Sequence, residues 1–76
     1  MLVRFQLASL ETVRIEIRDN RGALVRELLD RPLAAGLHTV EWNGRDGDGE
    51  AAASGMYLIS MHAGATRETV EAVLVR

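Results

Sequence analysis

Thr12-Val13-Arg14-Ile15-Glu16-Ile17-Arg18, with Asp19-Asn20-Arg21-Gly22 directly after it, is the stretch that decides the fold. Val13, Ile15 and Ile17 fall on one side and Arg14, Glu16 and Arg18 on the other, which is the period of a half-buried strand with a solvated outer face. The next four residues suit a tight turn, because an Asp side chain can accept from nearby backbone N–H groups and Gly22 can take a positive φ without a steric penalty. A strand running into such a turn predicts a hairpin, with Ala23 to Leu29 as the returning strand. Taken alone that run is ambiguous, since Leu24, Val25, Leu28 and Leu29 also fit one face of a helix. A helix ending before Pro32 would be only about two turns long and marginal, so the turn decides for a strand.

Beyond Pro32 and the Ala34-Ala35-Gly36 break, alternation returns with His38, Val40 and Trp42 on one face and Thr39 and Glu41 on the other. Asn43 to Ser54 is rich in turn residues, with Gly44, Gly47 and Gly49 set among Asn43, Asp46 and Asp48, and Gly55 just after. Tyr57, Ile59 and Met61 then share a strand face, and Ala63-Gly64-Ala65 turns the chain into a last strand from about Thr66 to Val75. With Val3 to Leu7 as a first strand, the expected architecture is all-β: a small antiparallel immunoglobulin-like β-sandwich of about six to seven strands in one domain spanning residues 1–76. Its expected core is Val13, Ile15, Ile17, Val40, Trp42, Tyr57 and Ile59. Asp19, Gly22, Gly36, Gly44, Gly49 and Gly55 are the expected turn residues.

The bulk properties exclude several function classes. Seventy-six residues build one core, and 47% hydrophobic residues place the chain among folded ones and not disordered ones. Nine basic and eleven acidic residues give a formal charge of -2 with the signs interleaved, leaving no basic stripe for nucleic acid. The absence of cysteine removes disulfides, zinc-thiolate sites and thiol catalysis. No apolar run approaches the ~20 residues of a membrane-spanning helix, and the start Met1-Leu2-Val3-Arg4-Phe5-Gln6 lacks the basic and apolar regions of a signal peptide.

The spaced residues Val13-x-Ile15-x-Ile17-x-Asp19-x-x-Gly22, Val25-Arg26, Ala35-Gly36-x-His38-x-Val40-x-Trp42-Asn43-Gly44-x-Asp46, Gly49 and Ser54-Gly55-x-Tyr57 resemble the immunoglobulin-like domain of the flagellar hook-capping protein. They are similar also to the C-terminal sorting domain of type IX secretion. The resemblance runs from Phe5-x-Leu7 to the ending Val73-Leu74-Val75-Arg76, and it implies an immunoglobulin-like fold without chemistry of its own. The chain departs from the family pattern at Ala8 and Ala53, where Pro is usual, at Arg18 in place of Tyr, and at Asn43 in place of Asp. All four fall at turns or exposed faces.

Each chemical motif has a plainer reading beside it. Asp46, Asp48 and Glu50 could offer oxygens to calcium, but aligning Gly49 with the sixth place of an EF-hand loop puts Gly44 first and Gly55 twelfth, where principal ligands belong. A solvated turn is the expectation, with no cofactor. His38 and His62 fall on different strands and read as packing or surface residues. Ser54 lies in Ala53-Ser54-Gly55, outside the Gly-x-Ser-x-Gly elbow that exposes a nucleophile, so no catalytic residue is expected. Trp42 and Tyr57 could form a platform for sugars, yet both sit on the apolar side of an alternating strand. The arginines alternate with Glu16, Glu27 and Asp30 as a cross-strand-paired surface.

The expected function is a non-catalytic sorting or attachment module, the C-terminal part of a longer exported bacterial protein, read by export machinery and located outside the cell or at its surface. A structural assembly domain of a hook-cap-like scaffold, in contact with neighbouring subunits, is the first alternative. A calcium- or carbohydrate-binding accessory domain is the second. In isolation the domain is expected to be monomeric.

Overall fold

The computed structural model describes residues 1–75; Arg76, the end of the stretch quoted above, lies outside the described residues. The chain forms six strands in sequence, β1 (Leu2–Leu7), β2 (Glu11–Asp19), β3 (Leu24–Leu33), β4 (Gly36–Glu41), β5 (Gly55–Ala63) and β6 (Thr66–Leu74). Among the described residues no helix is long and apolar enough to cross a membrane. A four-stranded sheet has the order β3-β2-β5-β6 and a two-stranded sheet pairs β1 with β4, all antiparallel. This is the small immunoglobulin-like sandwich that the alternating stretches imply.

β2 is central because it is paired on both sides, with β3 through the Asp19–Gly22 turn and with β5 in the register Ile15↔Met61 and Ile17↔Ile59. Its inward residues Val13, Ile15 and Ile17 are sealed completely. Phe5 and Leu7 from β1, and Trp42, Tyr57, Ile59, Ala52 and Ala63, complete one continuous core. Trp42 lies just past β4 with 1% of its surface exposed, and its ring meets Tyr57 edge-on at 5.2 Å. The indole N–H donates to the Arg45 carbonyl at 2.9 Å, so burying the ring leaves no donor unpaired. The backbone of Trp42 exchanges two bonds with Met1, its N–H donating to the Met1 carbonyl and its carbonyl accepting from the terminal ammonium, which prolongs the β1–β4 ladder.

The structure corrects four details of the sequence reading. β3 does not end at Leu29 as expected but runs on through Pro32, opposite Thr12, to Leu33, opposite Glu11. It can do so because β3 is an edge strand, where a missing N–H leaves no ladder bond unmade. Gly36 and Gly55 are not in turns; they open β4 and β5 at φ 131° and 154°, backbone that side-chain-bearing residues rarely adopt. Val40 is half-buried and packs at the margin of the core, since β4 borders a layer only two strands wide. Glu16, expected on a solvated face, retains only 9% exposure. β3 and β5 flank it, and the side chains of Arg14, Arg18 and His62 gather over it.

Replacing a buried aromatic by alanine costs about 3 to 5 kcal/mol, against a total stability on the order of 4 to 11 kcal/mol for a domain of this size. Trp42→Ala is therefore expected to shift the urea midpoint by most of the transition or abolish it, measured by circular dichroism. An unfolding free energy unchanged within about 0.5 kcal/mol would place the ring outside the core.

Candidate functional site

Two turns of the same design stand beside one another at one end of the sandwich. In the first, Asp19 Oδ1 accepts from the N–H of Arg21 at 2.9 Å and of Ala23 at 3.0 Å, while Asp19 N–H donates to the Ala23 carbonyl and Gly22 N–H to the Asp19 carbonyl. In the second, Asp46 Oδ1 accepts from Asp48 and Glu50 N–H, both at 2.9 Å, with Asp46 N–H on the Glu50 carbonyl and Gly49 N–H on the Asp46 carbonyl. Gly22 and Gly49 occupy equivalent places at φ 85° and 83°. An aspartate that accepts from the second and fourth following residues, closed by a left-handed glycine at the third, is the shared device.

The second turn is fastened to the body of the domain. Gly47 N–H donates to the Val25 carbonyl on β3 at 3.0 Å, and Arg26 reaches the Asn43 side-chain carbonyl at 2.9 Å, which also accepts from Arg45 N–H. The Tyr57 hydroxyl donates to the Ala53 carbonyl at 2.6 Å, four residues upstream, the arrangement that ties a corner of immunoglobulin-like domains to the strand behind it. Asp19, Asp46, Asp48 and Tyr57 together border a shallow open cleft between the two turns.

The cleft has little to offer a cation. One oxygen of Asp46 is committed to its own turn, Asp48 and Glu50 are exposed, and among the described residues no group of three His, Cys, Asp or Glu side chains is placed to hold a metal ion. The histidines are apart, His38 in the two-stranded sheet and His62 in the four-stranded one. His38 stacks on Phe5 at 5.5 Å and contacts the Ala34 carbonyl through Nε2, while His62 Nε2 lies 3.9 Å from Glu16 Oε1. Ser54 is an exposed residue just before β5. Trp42 and Tyr57 are both buried and present no ring face to a sugar.

The polar cluster that sequence reasoning missed is on the outer face of the four-stranded sheet. Glu16 is approached by Arg18 at 3.3 Å, Arg14 at 3.6 Å and His62 at 3.9 Å, and Ser60 beside it shares a hydroxyl contact of 3.3 Å with Thr69. Alternation assigned Glu16 to this face correctly but carries no information about which neighbours would cover it. The paired Asp turns did leave a signal, the repeated Asp-x-x-Gly at 19–22 and 46–49.

The ordered polar features of the described residues are turns and strand faces, and the two antiparallel sheets define a small immunoglobulin-like domain. The family profile described as the FlgD Ig-like domain matches residues 2–67, and the chain belongs to that family. The match ends early in β6, short of the Val73–Arg76 ending to which the resemblance was extended. Domains of this family are of a structural, non-catalytic type. No curated protein matches the chain at a significant level.

The Asp19 turn carries a pH signature. Its carboxyl is held below the ordinary value of 3.8, mainly by the Ala23 N–H, against the opposing effect of partial burial and with further help from the Arg21 N–H and guanidinium. A group whose folded value is depressed adds stability that is complete above its unfolded value and is lost as pH falls through the folded one. Melting temperatures of the wild type should therefore fall as pH drops below about 4, and Asp19→Asn should flatten part of that decline. Identical pH profiles for the two proteins would show that the carboxylate does not anchor the turn.

Proposed function

We propose that this chain is a structural assembly domain of a hook-cap-like scaffold, holding protein subunits together and performing no chemistry. The observation that carries this reading is the match to the FlgD Ig-like domain over residues 2–67. The fold is in keeping with it, since the strand order ends in edges that can receive a neighbouring chain and the body is braced by backbone-bonded turns. The domain works as part of an exported parent protein, outside the cell.

The sorting reading rests on the similarity to the type IX secretion domain, whereas the matching profile is that of the hook-cap domain. Assembly therefore takes precedence over sorting. Attachment to neighbouring subunits asks for a rigid body with exposed edges, and it asks for no ligand pocket.

A photo-crosslinking residue placed at the exposed Leu37 or Val73 in the native host separates the two. Crosslinks to hook or hook-cap subunits are expected. Crosslinks confined to the export machinery, or none at either position, would contradict the assembly reading.

A further inference from the structure

β6 ends the four-stranded sheet, and its residues Thr66 to Glu71 are exposed on both faces, including Val70, which points inward yet keeps 54% of its surface in solvent because the two-stranded layer does not reach over it. The other end of the same sheet is guarded. On β3, Pro32 has no N–H to offer, the Val25 carbonyl is taken by Gly47, and two register shifts disturb the pairing with β2. β6 has none of these defences, and its pairing with β5 runs without a shift from Ala63↔Thr66 to Gly55↔Leu74.

The hairpin fixes which backbone groups of β6 are free. Ala63 and Thr66 close a turn of Gly64 and Ala65, and such a closing pair exchanges both of its hydrogen bonds. Counting from there, Thr66, Glu68, Val70 and Ala72 turn their N–H and C=O toward β5. Arg67, Thr69, Glu71 and Val73 turn theirs outward, and their side chains share the outer face of the sheet. An incoming antiparallel strand must set outward-bonding residues opposite one another.

We propose that β6 pairs antiparallel with β6 of a second copy of this chain about a two-fold axis through Thr69, joining the two sheets into one of eight strands. The charge pattern selects the partner and the register. Centred on Thr69, the pairing sets Arg67 of each copy opposite Glu71 of the other, twice over, with Thr69 opposite Thr69 and Val70 opposite Glu68. Centred on Glu71 it would oppose two like carboxylates, and centred on Val70 it would leave Arg67 opposite Val73 and no charges paired. Directly opposed unlike charges stabilise a strand pair and like ones destabilise it. The charges at Arg67 and Glu71 therefore discourage other pairings while favouring this one, as charged side chains on edge strands do. In a two-fold contact each surface must complement itself, which this strand does.

This inference comes from strand geometry and charge, and it holds whether the parent assembles or is sorted. One strand edge buries much less than the ~1,600 Å² of a standard stable interface, so the contact is weak, monomeric at ~10 μM and substantially dimeric at ~1 mM. Sedimentation equilibrium of the 76-residue chain across that range tests it. Arg67→Glu and Glu71→Arg are each expected to weaken association at least ~tenfold while leaving the melting curve in place. Mixed together, the two variants are expected to pair with one another, because every opposed position then carries unlike charges; the double variant R67E/E71R is expected to dimerise alone. A chain that stays monomeric at ~1 mM, single reversals that leave association unchanged, or a mixture that fails to associate would each overturn the proposal.

Discussion

The indole of Trp42 is where the two layers and the long loop are joined. Its ring meets Tyr57 of the four-stranded sheet, its backbone extends the β1–β4 ladder through Met1, and its N–H fixes the Arg45 carbonyl at the start of the loop. A chain of this length buries a small fraction of its surface compared with larger domains, so a single large aromatic supplies an unusual share of the core. The position of the loop follows from that contact. Once Arg45 is held, Asp46 closes its turn, Gly47 reaches Val25, and the isolated bridge between Arg45 and Ala51 forms.

The same economy explains which surfaces remain open. Two strands cover a sheet of four, and what they cover is centred on β2 and β5, where Val13, Ile15, Ile17, Tyr57 and Ile59 are buried. The Thr66 to Glu71 part of β6 lies outside the cover, while Ala72 and Leu74 pack against the margin of the core. The exposed Val70 and Val73 of this strand cost little individually, since scattered apolar residues are normal at a surface. The ordered turns stand at one end of the domain and the open part of β6 at its side, the first bonded to the body and the second exposed.

The architecture was legible in sequence wherever alternation was strict. Val13, Ile15 and Ile17 read directly as one buried face, because a strand with one wet side must repeat every second residue. Pro32 misled, since a proline reads as a break and only the position of β3 at an edge makes it tolerable. The face of Glu16 was legible but its burial was not, because that depends on Arg14, Arg18 and His62 gathering over it. The aspartates of the loop invited a metal reading from composition. Their chemistry was decided by which N–H groups Oδ1 could reach, a matter of local conformation that the repeated Asp-x-x-Gly spacing signalled only when both turns were compared.

The exchange rate of the Trp42 indole proton, followed by NMR in deuterated solvent, tests the central claim most directly, because that proton reports at once on the burial of the ring and on its bond to Arg45. If Trp42 joins the layers and the loop, the indole proton should exchange only through global unfolding, as slowly as the amides at the centre of β2. Exchange many times faster than those amides, under conditions where β2 remains protected, would mean that the ring and loop open independently and that the core is held together without them.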